Sequence, residues 1–152
     1  MTEIENSERR VVSVIVVNEA SVLSRITDLF SGRGYNITSL TVAPIPDSKY
    51  SRLTIVTSGS VRVIEQITKQ LHKLIPVLRV YEHCDLVEKE MALVKFPITE
   101  NVSDIAALCG AYNGKIVNVS DDMIITMVAD EPKRVDNFLS MVKRYNPKEI
   151  VR

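Results

Sequence analysis

The stretch "SVIVVNEASVLSRITDLFSGRGYNITSLTVAP", residues Ser13–Pro44, decides the fold. It begins inside a mainly apolar, β-branched run, Arg10–Val17, which predicts a central strand covered on both faces. The residues that follow recur at the spacing of an amphipathic helix, which predicts one buried stripe: Val22, Leu23, Ile26, Leu29 and Phe30. Gly32 and Gly34 end this helix, and a second strand is predicted from Ile37 to Ile45.

The elements that follow complete a first βαββαβ unit. Tyr50–Ser58 reads as a third strand, and Val77–Glu82 reads as a fourth. Between them lies a second helical stripe, which stops before Pro76: Ile64, Ile67, Leu71 and Leu74. This order predicts a four-stranded antiparallel sheet with two helices on one face, a ferredoxin-like sandwich.

The same order then repeats. Its strands are predicted at Met91–Pro97, Lys115–Val119, Met123–Ala129 and Glu149–Arg152. The first helix of the repeat presents Val102, Ile105, Ala106, Cys109 and Tyr112. The second is predicted to be capped by Asp130 with Pro132 in its first turn, and to present Val135, Phe138, Leu139 and Val142.

The fold class is therefore α+β, with two ferredoxin-like βαββαβ sandwiches in tandem. We expect a flexible tail over residues 1–8, a first domain over 9–83, a connector over 84–90 and a short second domain over 91–152. The tail lacks the features of a signal peptide. Each sheet is expected to leave one face uncovered, and in the first unit that face carries apolar residues. Because such faces and free sheet edges usually find a partner, we expect at least a dimer.

Composition and charge narrow the class of partner. No apolar run of the 152 residues approaches a membrane span, so no membrane partner is expected. Residues 9–83 carry ten Lys/Arg against five Asp/Glu, a net charge of +5, whereas residues 91–152 carry eight of each. A charge of +5 fits an acidic partner or an anionic ligand better than duplex nucleic acid. Cys84 and Cys109 have no metal or redox spacing, which favours a reduced, cytoplasmic protein.

Catalytic chemistry finds little support in the sequence. His83 and Cys84 are adjacent, so a strand would point them to opposite faces, and no third soft ligand is near. Cys109 falls on a helical core face, and His72 falls on a surface. No nucleophile elbow or phosphate loop appears. We expect no catalytic residue, metal or cofactor in this chain. RNA binding is the rival for this fold, but central strands lack the paired aromatic residues that stack bases.

Two asparagines flank the first helix at positions that suit an amino-acid ligand. Asn18 lies in the turn before the helix, where free main-chain N–H groups bind a carboxylate readily. Asn36 starts the next strand, and both side chains offer a donor and an acceptor. The simpler interpretation is a helix cap at Asn18 and a turn residue at Asn36. Local sequence leaves both interpretations open.

A resemblance to a known family bears on that choice. The stretch "RRVVSVIVVNEASVLSRITDLFSGRGYNITSLTVAP" resembles the small, regulatory subunit family of acetolactate synthase. So do "SRLTIVTSG" and "VIEQITKQLHKLIPVLRV", and together these motifs cover Arg9–Val80. The second half is similar to the family's C-terminal domain through "EMALVKF" and "GKIVNVS".

The resemblance implies an amino-terminal ACT domain that binds a branched-chain amino acid, usually valine, between paired domains. It implies the following effector-binding residues: Asn18, Ala20, Ser21, Val22, Leu23, Asn36 and Ile37. Asn36 and Ile37 would reach across the dimer. The family usually has Gly where this chain has Ser21, and a Gly there lets a ligand approach the backbone. Ser21 would either crowd the effector, or cap the helix and donate to the ligand.

The resemblance also implies a homodimer that docks on a catalytic large subunit, and that subunit would carry thiamine diphosphate, magnesium and FAD. The chain is then expected to activate the catalytic subunit and to confer feedback inhibition in branched-chain amino acid biosynthesis. Two other hypotheses are a free-standing amino-acid-sensing protein acting on another enzyme, and a nucleic-acid-binding ferredoxin-like protein.

Overall fold

The structure, a computed structural model, describes residues 8–98 and 101–152. Its division into two compact units falls between Leu86 and Val87. The first unit contains β1 Glu8–Val17, α1 Val22–Gly32, β2 Ile37–Pro44, β3 Tyr50–Gly59, α2 Val61–His72 and β4 Val77–His83. The second contains β5 Glu90–Pro97, α3 Val102–Ala111, β6 Lys115–Val119, β7 Met123–Asp130, α4 Pro132–Val142, a 3-10 turn Lys143–Tyr145 and β8 Glu149–Val151.

Both units have the same sheet topology. The strand order is β2-β3-β1-β4 in the first sheet and β6-β7-β5-β8 in the second, and neighbouring strands are antiparallel. The last strand of each unit pairs with its first strand, because the second helix of the unit carries the chain back across the sheet. The predicted fold class, two tandem βαββαβ sandwiches, is confirmed.

The first core lies between the sheet and its two helices. Alternate residues of β1 enter it, and they meet the buried stripes of both helices: Val12, Val14, Val16, Ile26, Phe30, Ile64, Ile67 and Leu71. Val11 and Ile15 on the opposite face of β1 are also buried. The β-branched run of β1 therefore has buried side chains on both faces, as its composition predicts. The expectation that this sheet leaves one face uncovered is wrong for β1.

The structure corrects several local predictions. Leu23 was predicted in the buried stripe of α1, but it is 40% exposed, because it lies at the margin of that stripe. Tyr112 follows α3 instead of belonging to it. β1 begins at Glu8, so the predicted tail overlaps the strand by one residue, and the rest of the tail lies outside the described residues.

Contrary to the prediction from the sequence, Asp130 does not cap α4. It is the last residue of β7, and Glu131 occupies the N-cap position of α4. Its carboxylate is almost fully buried and accepts hydrogen bonds from Lys89 Nζ at 2.7 Å and from Arg134 Nε at 2.6 Å. The Glu131 N–H and the Asn113 amide also donate to it. These donors, Lys89 first, hold the pKa of the Asp130 carboxyl well below its usual range.

Candidate effector-binding site

The turn between β1 and α1 is held by the two loops beside it. The Val17 N–H donates to the Pro76 carbonyl at 2.9 Å, and the Asn18 N–H donates to the Lys49 carbonyl at 2.9 Å. Both bonds use main-chain atoms, so the Asn18 side chain remains available, and it is exposed. The turn is therefore anchored at its start while its far end faces solvent.

Ser21 ends the turn in a left-handed conformation. Its φ is 69° and its ψ is −7°, a region that glycine adopts readily and that other residues adopt at a cost. Ser21 occupies the N-cap position of α1, and its carbonyl accepts from the Arg25 N–H at 3.1 Å, but its hydroxyl makes no capping hydrogen bond. Of the roles expected for Ser21, capping the helix is therefore wrong. The left-handed backbone also explains why glycine suits this position.

The start of α1 leaves several main-chain donors open. Within residues 8–98, no protein acceptor lies within hydrogen-bond reach of the N–H groups of Ala20, Ser21, Leu23 and Ser24. The Val22 N–H points to the Glu19 carbonyl at 3.5 Å, the limit of a hydrogen bond. Free N–H groups and the positive end of the helix dipole together favour a bound carboxylate.

The side chains of this turn divide into exposed and buried ones. Asn18, Ala20 and Ser21 are exposed, and Leu23 is 40% exposed at the first turn of α1. Val22 is 4% exposed and belongs to the core of the first unit. Val22 therefore offers a ligand only its main chain, whereas Leu23 offers an apolar side chain.

Asn36 lies immediately before β2, and its side chain is exposed. Its carbonyl accepts a hydrogen bond from the buried hydroxyl of Thr57 at 2.6 Å. Ile37 is half-buried against the core, and the pairing of β2 with β3 shifts register between Ile37 and Ser39. The end of β2 that carries Asn36 is thus fixed by the core on one side and open to solvent on the other.

The two halves of the predicted site lie at opposite ends of the first sheet. Val17, before the turn, pairs with Tyr50 of β3, whereas Ile37, after Asn36, pairs with Thr57. Those two positions on β3 are seven residues apart, which corresponds to about 23 Å. One chain therefore does not bring Asn36 and Ile37 to the turn.

Sequence reasoning missed two contributors to this geometry. Lys49 supports the turn through its carbonyl, and Thr57 supports Asn36 through its hydroxyl. Neither contribution has a local signal, because each depends on strand pairing that only the fold determines.

Across residues 8–98 and 101–152, no group of three or more His, Cys, Asp and Glu side chains is arranged to hold a metal ion. None of the helices in those ranges is both long and apolar enough to span a bilayer. Cys109 is buried, as predicted, and burial raises the pKa of its thiol.

Comparison with known proteins identifies the family. Residues 12–79 match a family model described as an "AHAS small subunit-like ACT domain", and residues 89–152 match one described as "Small subunit of acetolactate synthase". The chain belongs to the acetolactate synthase small-subunit family. The second match shows that the C-terminal half carries the family pattern as well as the more distinctive first half.

Individual members of the acetolactate synthase small-subunit family agree with these matches. The chain is 43% identical over 138 residues to the isozyme 3 small subunit of Escherichia coli, covering 89% of this chain and 85% of that protein. It is 40% identical over 147 residues to the small subunit of Buchnera aphidicola from Schizaphis graminum, covering 94% and 91%. The crystal structure of the small subunit from Thermotoga maritima superposes with a TM-score of 0.89 at 34% identity, covering 95% and 92%.

Proposed function

We propose that this chain is the regulatory subunit of an acetolactate synthase, which activates a catalytic large subunit and confers feedback inhibition by a branched-chain amino acid, with valine as the effector. The cofactors of the reaction, thiamine diphosphate, magnesium and FAD, belong to the catalytic subunit in this proposal. Family membership supports the partnership. The observation that carries the regulatory part is the open start of α1.

An amino-acid effector matches the groups at that start. Its carboxylate needs donors, and the free N–H groups of Ala20, Ser21, Leu23 and Ser24 supply them. Its ammonium needs acceptors, and the amide oxygens of Asn18 and Asn36 can accept. An aliphatic side chain needs apolar surface, which the exposed Leu23 provides.

The separation of Asn36 from the turn implies a site shared by two copies. β2 is one edge of the first sheet, so two β2 strands can pair antiparallel about a twofold axis. Such pairing places the beginning of one β2 beside the end of the other. The end of β2 lies at the same end of the sheet as the turn, since Pro44 pairs with Ser51 and Val17 pairs with Tyr50. Asn36 of one copy then approaches the turn of the other.

The other edge does not complete the site. β4 lies at the far side of the sheet from β2. Pairing two copies through β4 would leave both β2 strands outermost, with each Asn36 at a remote corner of the dimer. We therefore propose β2 as the dimer edge, and this choice follows from the requirement that Asn36 and the turn meet.

Activation of the catalytic subunit tests the main proposal. The isolated chain is expected to show no acetolactate synthase activity, and adding it to the catalytic subunit from the same organism is expected to raise turnover. Co-purification of the two proteins would accompany this rise. Unchanged turnover, with both proteins folded, would contradict the regulatory role.

Mixed dimers test the shared site. Ser21→Asp places a negative charge beside the effector carboxylate, and Asn36→Ala removes the amide, so each homodimer is expected to lose tight valine binding. A mixed dimer has one site with both lesions and one site with neither. Random exchange of the two variants should therefore restore about one quarter of the wild-type sites. No restoration after verified exchange would show that each site lies within a single chain.

A further inference from the structure

We propose that Thr57 is a positioning residue of the effector site, because its buried hydroxyl fixes the main chain of Asn36. This inference rests on the proposed function, since it assigns a role within the proposed site. Thr57 is not among the residues that the family resemblance implies, and its side chain does not reach the solvent that an effector would occupy.

The first observation is the burial of Thr57. The residue is 0% exposed, in a strand whose neighbouring core positions are apolar. A hydroxyl in such a place costs free energy unless it forms a hydrogen bond. Thr57 donates to the Asn36 carbonyl at 2.6 Å, a short distance for a bond between two oxygens. The hydroxyl therefore has a definite partner, and that partner is the residue predicted to reach the effector.

The second observation is the local irregularity of β2. Its register against β3 shifts between Ile37 and Ser39, so the strand is least regular where it begins. Asn36 lies outside the strand, one residue beyond the Ile37–Thr57 pair. The Thr57 hydroxyl extends the connection between the two strands by one residue and holds the carbonyl of Asn36 toward β3.

The third observation is the anchoring of the chain before Asn36. The Tyr35 N–H donates to the Phe30 carbonyl at 2.9 Å, and the Tyr35 hydroxyl donates to Gln66 Oε1 at 3.2 Å. Asn36 thus follows a residue fixed to both helices. With its own carbonyl fixed by Thr57, the main chain from which the exposed Asn36 side chain projects is set before a ligand arrives, which lowers the entropy lost on binding.

Valine titration by calorimetry into four proteins tests this role: wild type, Thr57→Val, Thr57→Ser and Asn36→Ala. Valine replaces threonine with nearly the same shape but no hydroxyl, whereas serine keeps the hydroxyl. We expect Thr57→Val to weaken binding about fivefold, or ~1 kcal/mol, and Thr57→Ser to bind within about twofold of wild type. Thr126→Val is the matched control, because Thr126 is also 0% exposed but its hydroxyl donates to Val94 in the second unit, at 3.4 Å.

A double variant separates positioning from general stability. If Thr57 acts through Asn36, then Thr57→Val should weaken binding no further in an Asn36→Ala background. Additive losses, or wild-type affinity in Thr57→Val, would overturn the positioning role while leaving the proposed function intact. Absence of binding of valine, leucine and isoleucine to the wild-type dimer would overturn both. Thermal unfolding of each variant shows whether a smaller fraction of folded protein alone accounts for weaker valine binding. If it does, that result also contradicts the positioning role.

Discussion

The two units of this chain share one topology but differ at the ends of their sheets. In the first unit, the strand-to-helix turn ends in the left-handed Ser21 and leaves N–H groups without protein acceptors. In the second unit, the end of β7 carries Asp130, whose carboxylate is satisfied by two cations and two N–H donors. The first of these two strand ends thus leaves polar groups open, and the second pairs them internally. The same topology thus accommodates an open strand end and an internally paired one, so the chemistry of each end is set by its own residues and not by the fold.

Dividing the chain would give the largest contrast between the units. A chain ending at Leu86 contains the whole first unit, so we expect it to retain most of the activation of the catalytic subunit. A chain beginning at Val87 is expected to give none. Turnover of the catalytic subunit with an excess of each fragment measures this, with circular dichroism to establish folding. A folded first unit that fails to activate would show that the second unit takes part in docking.

Removing the Asn36 amide should give the next largest effect. Each charge-assisted hydrogen bond to a buried ligand contributes about 1.5–3 kcal/mol. Asn36→Ala is therefore expected to weaken valine binding by about tenfold or more and to abolish feedback, with activation retained because the amide is proposed to contact the effector and not the catalytic subunit. Calorimetry and inhibition curves measure the two properties separately. Asn118→Ala, an exposed asparagine on β6 of the second unit, is the matched control and should change neither.

The pairing of Asp130 predicts how the second unit responds to acid. The pKa of Asp130 is lowered in the folded state, so its stabilisation is present above the unfolded pKa of about 4 and is lost as the pH falls below it. We expect the free energy of unfolding to fall between pH ~5 and pH ~3 in the wild type, and to fall less in Asp130→Asn.

Urea unfolding across this range, followed by hydrogen exchange in α3 and α4, measures the effect. Asp121→Asn is the control, because Asp121 is exposed and its side chain makes no ion pair among the described residues. Equal acid sensitivity of Asp130→Asn and the wild type would remove the distinction drawn between the two units.

Much of the fold follows from short-range patterns, and the site does so only in part. Among the described residues, periodicity located each strand to within two residues and identified the four α-helices by their buried stripes, because alternation and the helical repeat are local consequences of burial. The 3-10 turn Lys143–Tyr145 was not predicted. Leu23 is more exposed than predicted because it lies at the margin of the helical stripe, where the helical repeat alone does not determine burial. The residue type of Asp130 suits a helix cap, whereas one of its two ion pairs is with Lys89, which is distant in sequence.

The residues of the candidate site could be predicted from the sequence, but their arrangement in space could not. A turn, the start of a strand and the family resemblance together indicate Asn18, Ser21 and Asn36. The separation of about 23 Å between the turn end of the sheet and the end that carries Asn36 depends on the antiparallel register of three strands, and no local pattern encodes it. The hydroxyl of Thr57 is also invisible in the sequence, because threonine is an ordinary strand residue.

The smallest expected effect is the relief of strain at Ser21. A residue with a Cβ in the left-handed region costs about 1–2 kcal/mol, and glycine costs roughly 0.5–1 kcal/mol more conformational entropy on folding. Ser21→Gly should therefore stabilise the chain by only ~0.5 kcal/mol, while removing a side chain that stands at the open N–H groups. We expect valine binding to be kept or strengthened.

Asn146→Gly is the matched control, since Asn146 has a φ of 52° in the second unit and asparagine tolerates this region better than serine does. Thermal unfolding and valine titration of both variants decide between two origins for the effect. A gain in affinity at Ser21 without a gain in stability would assign it to ligand access, and weaker binding would mean that the Ser21 hydroxyl itself contacts the effector.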